Sequence, residues 1–138
     1  RMYYVNDKGV EINLQFAIEN WWIGDLASFT NNESSNMYIQ TIEPTEVCIL
    51  NKDNMELLLK EVPAFERFFR IIITKHLSKI QERLIKTMSS NVEANYLEFM
   101  SNYAEIHNRV PQQYIASYLG CTPEFLSKIR ARLANSKL

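Results

Sequence analysis

The sequence predicts an α+β chain in which strands come first and helices follow. Two observations carry this. Apolar and polar residues alternate from Val10 to Ala17, the period of a strand with one buried face, and from Asn51 onward apolar residues recur at helical spacing. A third bounds the core: with 138 residues, 46% of them apolar and only 3 Gly and 4 Pro, the chain can bury one moderate core or two small ones. General disorder is excluded by the same composition.

In the strand region Val10, Ile12, Leu14 and Phe16 are expected to face inward, with Glu11, Asn13, Gln15 and Ala17 on the other side. Asn6-Asp7-Lys8-Gly9 reads as a hairpin turn leading into this strand from the aromatic strand Met2 to Val5. Another pair of strands is expected at Met37 to Ile42 and Glu46 to Leu50, across a turn at Glu43-Pro44-Thr45. Between the pairs lies an irregular stretch, Trp22 to Asn36, which contains the polar loop Thr30 to Asn36. Loops of that kind often carry function.

A helix follows, capped by Asn51 or Asp53, with Met55, Leu58, Leu59 and Val62 at helical spacing, and Pro63 punctuates it. A long helix is then expected from about Ala64 to Met88, reaching roughly 37 Å. Its apolar positions form two rows: Phe65, Phe69, Ile72 and His76 in one, Ile73, Leu77, Ile80 and Leu84 in the other. One row can cover the strands, and the other calls for a partner helix, most simply from a second copy of the chain. Phe65, Phe69, Ile72, His76 and Ile80 are the expected dimerisation residues, with His76 a hydrogen-bonded core or seam histidine. Ser90-Asn91-Val92-Glu93 has capping-box spacing, so Met88 to Ser90 is expected to be a hinge and a fresh helix to run from Asn91 through Tyr96, Leu97, Phe99, Met100 and Tyr103.

Net charge is −1, but it is unevenly spread. Residues 1–63 carry four bases against ten acids, whereas from Arg109 onward there are five bases and a single acid, Glu124. A polyanion would prefer that end. Cys48 and Cys121 have neither the number nor the spacing of a disulfide framework or zinc site, and both read as reduced core residues. No apolar run reaches the length of a membrane span, and Glu61, Glu66, Arg67 and Arg70 interrupt the nearest candidate, so a cytoplasmic location without membrane contact is expected. Paired catalytic carboxylates, nucleophile-base pairs, phosphate loops and metal clusters do not stand out, so no enzyme activity and no cofactor are expected.

The segment Pro111 to Leu133 is the most informative. Counted from Gln112, it meets the constraints of a helix-turn-helix: a small residue at the fifth place, Ala116, where two helices cross closely, and glycine at the ninth, Gly120, where the turn needs positive φ. Ile115, Leu119, Cys121, Leu126 and Ile129 fill the apolar places. Thr122 is placed to cap the second helix, Pro123 takes the first-turn position that needs no amide donor, and Glu124 suits the helix dipole. Pro123, Glu124, Ser127, Lys128, Arg130 and Arg132 are left facing outward, as base and phosphate contacts in a DNA groove. Thr122 belongs to the same expected DNA surface. Gln112, Gln113 and Tyr114 would hold phosphates and set register. The bland alternative is a small helical subdomain with a solvated basic face.

These residues resemble the CRP/FNR family of transcription regulators. Trp22-Ile23-Gly24-Asp25-Leu26-Ala27 is similar to the Gly-Glu-Leu segment of the family's cyclic-nucleotide-binding β-roll, the Ala64 to Met88 helix resembles its dimerisation helix, and Ile115 to Ile129 resembles its helix-turn-helix. The wording from Val110-Pro111-Gln112-Gln113-Tyr114-Ile115-Ala116 to Ser127-Lys128-Ile129-Arg130 is similar to versions common in Bacteroidetes. The resemblance implies a three-part organisation: residues 1–63 as the C-terminal part of a double-stranded β-helix, jelly-roll-like effector domain, 64–89 as dimerisation helix and hinge, and 90–138 as a winged-helix-like DNA-binding domain with its wing missing or short. It also implies that about fifty further residues precede Arg1 to complete the β-roll.

An effector site is implied at Gly24, Asp25, Leu26, Ser35 and Asn36. Asp25 aligns with the family's ribose-binding glutamate, and the arginine that neutralises the cyclic phosphate falls on or near Ser35. No Arg or Lys lies between Gly9 and Asn51. A buried phosphate without a cationic partner is costly, so cyclic AMP is not expected to bind in the usual manner. Pro123 replaces a base-reading arginine of well-known relatives, Glu124 matches theirs, and Lys128 stands in for an arginine, so the preferred site should differ. Double-stranded DNA, a second copy of the chain and RNA polymerase are the implied partners. The rival reading is a cyclic-nucleotide or other small-ligand sensor with a vestigial DNA-binding end.

Overall fold

The computed structural model describes residues 1–88 and 91–135. The chain is α+β: a three-stranded antiparallel sheet and, among the described residues, seven helices. The strands are β1 (Met2–Val5), β2 (Glu11–Gln15) and β3 (Met37–Ile39), in the order β2-β1-β3. The β1–β2 turn forms at Asn6 to Gly9 as expected. The Asn6 side chain accepts from the amides of Lys8 at 3.0 Å and Val10 at 2.9 Å, and Gly9 takes φ +74°, open to glycine without strain.

The helices are α1 (Leu26–Asn31), α2 (Lys52–Glu61), α3 (Pro63–Met88), α4 (Val92–Asn102), α5 (Ala104–Arg109), α6 (Gln112–Tyr118) and α7 (Pro123–Asn135). Asn51 caps α2 through its side chain, which accepts from Asn54 N at 2.8 Å. Pro63 opens α3, where a missing amide costs nothing. At 26 residues α3 is about 39 Å long. It contains no fully buried residue, and its contacts with the rest of the chain include Phe65 and Phe69 near its start and Arg83 near its end. Trp22 lies 6.1 Å from Phe65 and 5.9 Å from Phe69, ring centre to ring centre.

One core joins the sheet to the last four helices. Phe16, just past β2, is buried with Tyr96 and Phe99 of α4, Ile106 of α5, Ile115 and Ala116 of α6, and Leu126 and Ile129 of α7. Burial of such side chains, at about 25 cal/mol per Å² of apolar surface, holds the strand unit on the helices.

Several expectations are corrected. Glu46 to Leu50 forms no strand: Val47 and Ile49 are 65% and 87% exposed, and no strand pairs with the segment among the described residues, so its backbone gains nothing from extension. Cys48, on that segment, is accordingly exposed rather than in a core, while Cys121 is partly buried, which pushes its thiol pKa up. β3 stops at Ile39, short of Ile42. The stretch from Trp22 to Asn36 is not wholly irregular, because Asp25 caps the short helix α1 inside it. In β2 the buried residue is Asn13, fully enclosed, whereas Val10 is 51% exposed; the strand turns its Asn13 side toward Arg1 and α6. The helix after Asn91 breaks at Tyr103, which ends α4 and begins α5. Its cap is Asn91, whose side chain accepts from Ala94 N at 3.1 Å. The expected cap Ser90 and most of the expected hinge, residues 89 and 90, lie outside the described residues.

Candidate nucleic-acid interface

The geometry of α6 and α7 is set by a tight turn. Gly120 takes φ +73°, and a Cβ built there would meet Thr87 Cγ2 at an ordinary 3.7 Å, so the glycine is required by the backbone conformation rather than by space. Cys121 N donates to Ala116 O at 3.0 Å across the turn. Ile115 and Ala116 have no exposed surface, and Leu119, Leu126 and Ile129 complete the contact between the two helices. Thr122 Oγ1 accepts from Phe125 N at 3.2 Å, closing the first turn of α7 as a cap does.

With Leu126 and Ile129 turned into the core, the opposite side of α7 faces solvent. Pro123, Glu124, Ser127, Lys128, Arg130 and Arg132 are all exposed, as are Thr122 and Gln113. Gln112 is partly buried, and its Oε1 has no hydrogen-bond partner among the described residues. The Glu124 carboxyl is held below its ordinary pKa by its own backbone amide, by the Thr122 hydroxyl and by the charge of Lys128. Arg132 pairs with Glu93 of α4. Arg130 lies beside the Tyr96 phenol, whose pKa burial pushes up against the opposing pull of that arginine, and the Tyr96 hydroxyl meets His107 Nε2 at 2.9 Å.

Two arginines elsewhere tie the helices to the strand region, Arg83 at β2 and Arg109 at residues beyond the strands, and the charge pattern gave no sign of their roles. Arg83 of α3 donates to the carbonyls of Leu14 at 2.6 Å, Asn13 at 3.1 Å and Tyr118 at 2.9 Å, and lies 3.9 Å over the Tyr118 ring. The available signal was its position on the Phe65, Phe69, Ile72, His76 side of the helix. Arg109, counted in the basic end of the chain, is bound to Glu19 at 2.8 Å and to Glu43. Its side chain therefore faces the strand unit instead of an outside polyanion.

The positions expected to hold an effector come together only in part. Asp25 Oδ1 accepts from Ala27 N at 3.1 Å and Ser28 N at 3.3 Å, and its Oδ2 accepts from the Ser35 hydroxyl at 2.7 Å. These bonds, that from Ser35 foremost, keep its carboxyl below the ordinary pKa. The carboxylate is thus occupied in capping α1 and closing the loop. Gly24, Leu26 and Asn36 are exposed around it. Lys52, at the start of α2, reaches the same loop by donating to Thr30 O at 2.8 Å, a cation that lies one residue beyond the base-free stretch of sequence.

Of the expected dimerisation residues, Phe65 and Phe69 pack on Trp22, Ile72 and His76 are partly buried, and Ile80 is 50% exposed. Beside Ile80 the second row leaves Leu77 and Leu84 open to solvent as well. No helix among the described residues is long and apolar enough to cross a membrane, and none of their His, Cys, Asp and Glu side chains form a group of three or more that could hold a metal ion. Compared with known proteins, the chain matches no family model and no curated protein sequence.

Proposed function

We propose that the chain is a sequence-specific DNA-binding transcription regulator of the CRP/FNR type, acting as a homodimer. The observation that supports this best is the division of α7 into two sides. Leu126 and Ile129 anchor it in the core, while Glu124, Ser127 and Lys128 are exposed to solvent, as are Arg130 beside Tyr96 and Arg132 in its pair with Glu93. That is what a recognition helix of a helix-turn-helix needs to enter a major groove, with Ala116 and Gly120 setting its angle to α6.

In this reading Lys128 bonds guanine acceptors or a phosphate, Glu124 accepts from cytosine, and Ser127 serves base or backbone. Gln113, at the start of α6, sets register on a phosphate. Arg132 leaves Glu93 to neutralise a phosphate, a charge exchange that favours binding at low salt. Because Phe65 and Phe69 of the expected dimerisation row pack on Trp22, the seam with a second copy is assigned instead to the exposed Leu77, Ile80 and Leu84 of the second row, with two recognition helices in successive grooves about 34 Å apart. Asp25 serves as a helix cap, and cyclic AMP in the usual manner is not the signal. RNA polymerase as a partner rests on the resemblance alone.

The test compares two substitutions on specific and random DNA over a range of salt. Lys128→Ala is expected to weaken specific binding by about 1–3 kcal/mol, and Arg132→Ala to weaken all sequences alike and flatten the salt dependence. Equal effects of both on every sequence would contradict these roles.

A further inference from the structure

The solvent side of α7 also carries one large apolar residue. Phe125 stands in the first turn, its amide fixed by the Thr122 hydroxyl, yet its side chain is 50% exposed beside the fully buried Leu126. No other aromatic ring packs on it among the described residues. Lys128 and Arg132 follow at i+3 and i+7, so the three share one stripe along the helix, an apolar group followed by two cations. Both cations remain exposed, Arg132 at 64% even while paired with Glu93.

A surface complementary to this stripe is apolar opposite Phe125 and anionic beyond it. In the major groove the thymine 5-methyl group is the one apolar patch on a base edge, and phosphates line both walls. A protein partner would need acidic groups in the same register, and a membrane surface would favour a broader apolar face than one ring. We propose that Phe125 reads a thymine 5-methyl group in each DNA half-site, with Lys128 and Arg132 holding the flanking contacts. This rests on the DNA-binding reading of α7 given above.

The experiment uses the full chain and its selected DNA site, with deoxyuridine replacing each thymine in turn so that only the methyl group is lost. One thymine per half-site is expected to lose roughly three- to fivefold in affinity on this change, the effect of one buried methyl-sized group. Phe125→Ala should bind both versions equally, and Phe125→Leu should keep a reduced preference, with far-ultraviolet circular dichroism confirming that each variant is folded. DNA binding with no dependence on any thymine methyl, or a preference that survives Phe125→Ala, overturns this proposal and leaves the DNA-binding reading standing. Failure of the wild-type chain to bind any DNA overturns both.

Discussion

The hydroxyl of Ser117 accepts a hydrogen bond from the backbone amide of Asn13 at 3.0 Å, and in turn donates to the carbonyl of Glu11 at 2.9 Å. A side chain of α6 thereby takes the place of a neighbouring strand at the edge of β2. The same stretch of strand is held from behind by Arg83, and Asn13 accepts from Arg1 at 3.3 Å while Arg1 lies 3.8 Å over the Tyr114 ring. The sheet and α6 are therefore joined directly by side-chain bonds as well as by the shared core.

Removing that hydroxyl should be measurable. Ser117→Ala leaves the fully buried Asn13 with an unpaired amide and is expected to lower stability by about 1–2 kcal/mol in denaturant titration. Hydrogen exchange at the Asn13 amide should accelerate with it. Unchanged exchange at that amide would mean the bond contributes nothing to holding β2 on α6.

The clamp between Glu19 and Arg109 gives a pH dependence of known sign. Hydrogen bonds from Arg109 lower the Glu19 pKa from an ordinary 4.5 to about 2. Its folded value lies below its unfolded one, so its stabilising contribution is complete above about 4.5 and is lost as the pH falls toward 2. Carboxyl-carbon NMR should place the Glu19 midpoint near the lower value, and Arg109→Ala should return it toward the ordinary one. A wild-type midpoint at the ordinary value would show that the clamp does not form.

The crossing of α6 and α7 makes two separable demands. Ala116→Leu overfills a site with no free surface and should cost about 1–3 kcal/mol through packing. Gly120→Ala meets only an ordinary contact but forces a side chain to positive φ, which should cost about 1–2 kcal/mol. Thermal unfolding of both variants checks this, and a neutral Gly120→Ala would contradict the turn geometry.

The second row of α3 should decide the oligomeric state. Leu77→Asp combined with Leu84→Asp places charges on the exposed row while leaving the Phe65 and Phe69 packing on Trp22 untouched. Sedimentation equilibrium is expected to show the dimer becoming a monomer. A wild-type chain that is monomeric, or a double variant that stays dimeric, would remove the seam from the account.

Features written in short stretches of sequence were the legible ones. The Asn6 to Gly9 turn, the Asn51 cap, the long α3 and the positive φ of Gly120 each depend on residues within a few positions of one another. The rest depends on distant partners. Asn13 is a polar residue on the side of β2 that alternation assigns to solvent, and only Ser117, 104 residues away, together with Arg1 and Arg83, explains its burial. Asp25 reads as a ligand carboxylate by its place beside Gly24, yet spacing could not reveal that Ser35 and the amides of α1 already occupy it. Glu46 to Leu50 has the composition of a strand, but a strand exists only where another pairs with it. On α7, the rule that apolar positions pack inward accounts for Leu126 and Ile129 but not for Phe125.

The most direct test of the central claim is to select, from fragments of the source genome, those the chain retains, and to read their common sequence. The account predicts enrichment of a two-fold symmetric site whose half-sites are centred about 34 Å apart, one helical turn, with enrichment lost when Lys128 is replaced by Ala. Retention of fragments with no common sequence, or no retention at all, would contradict it.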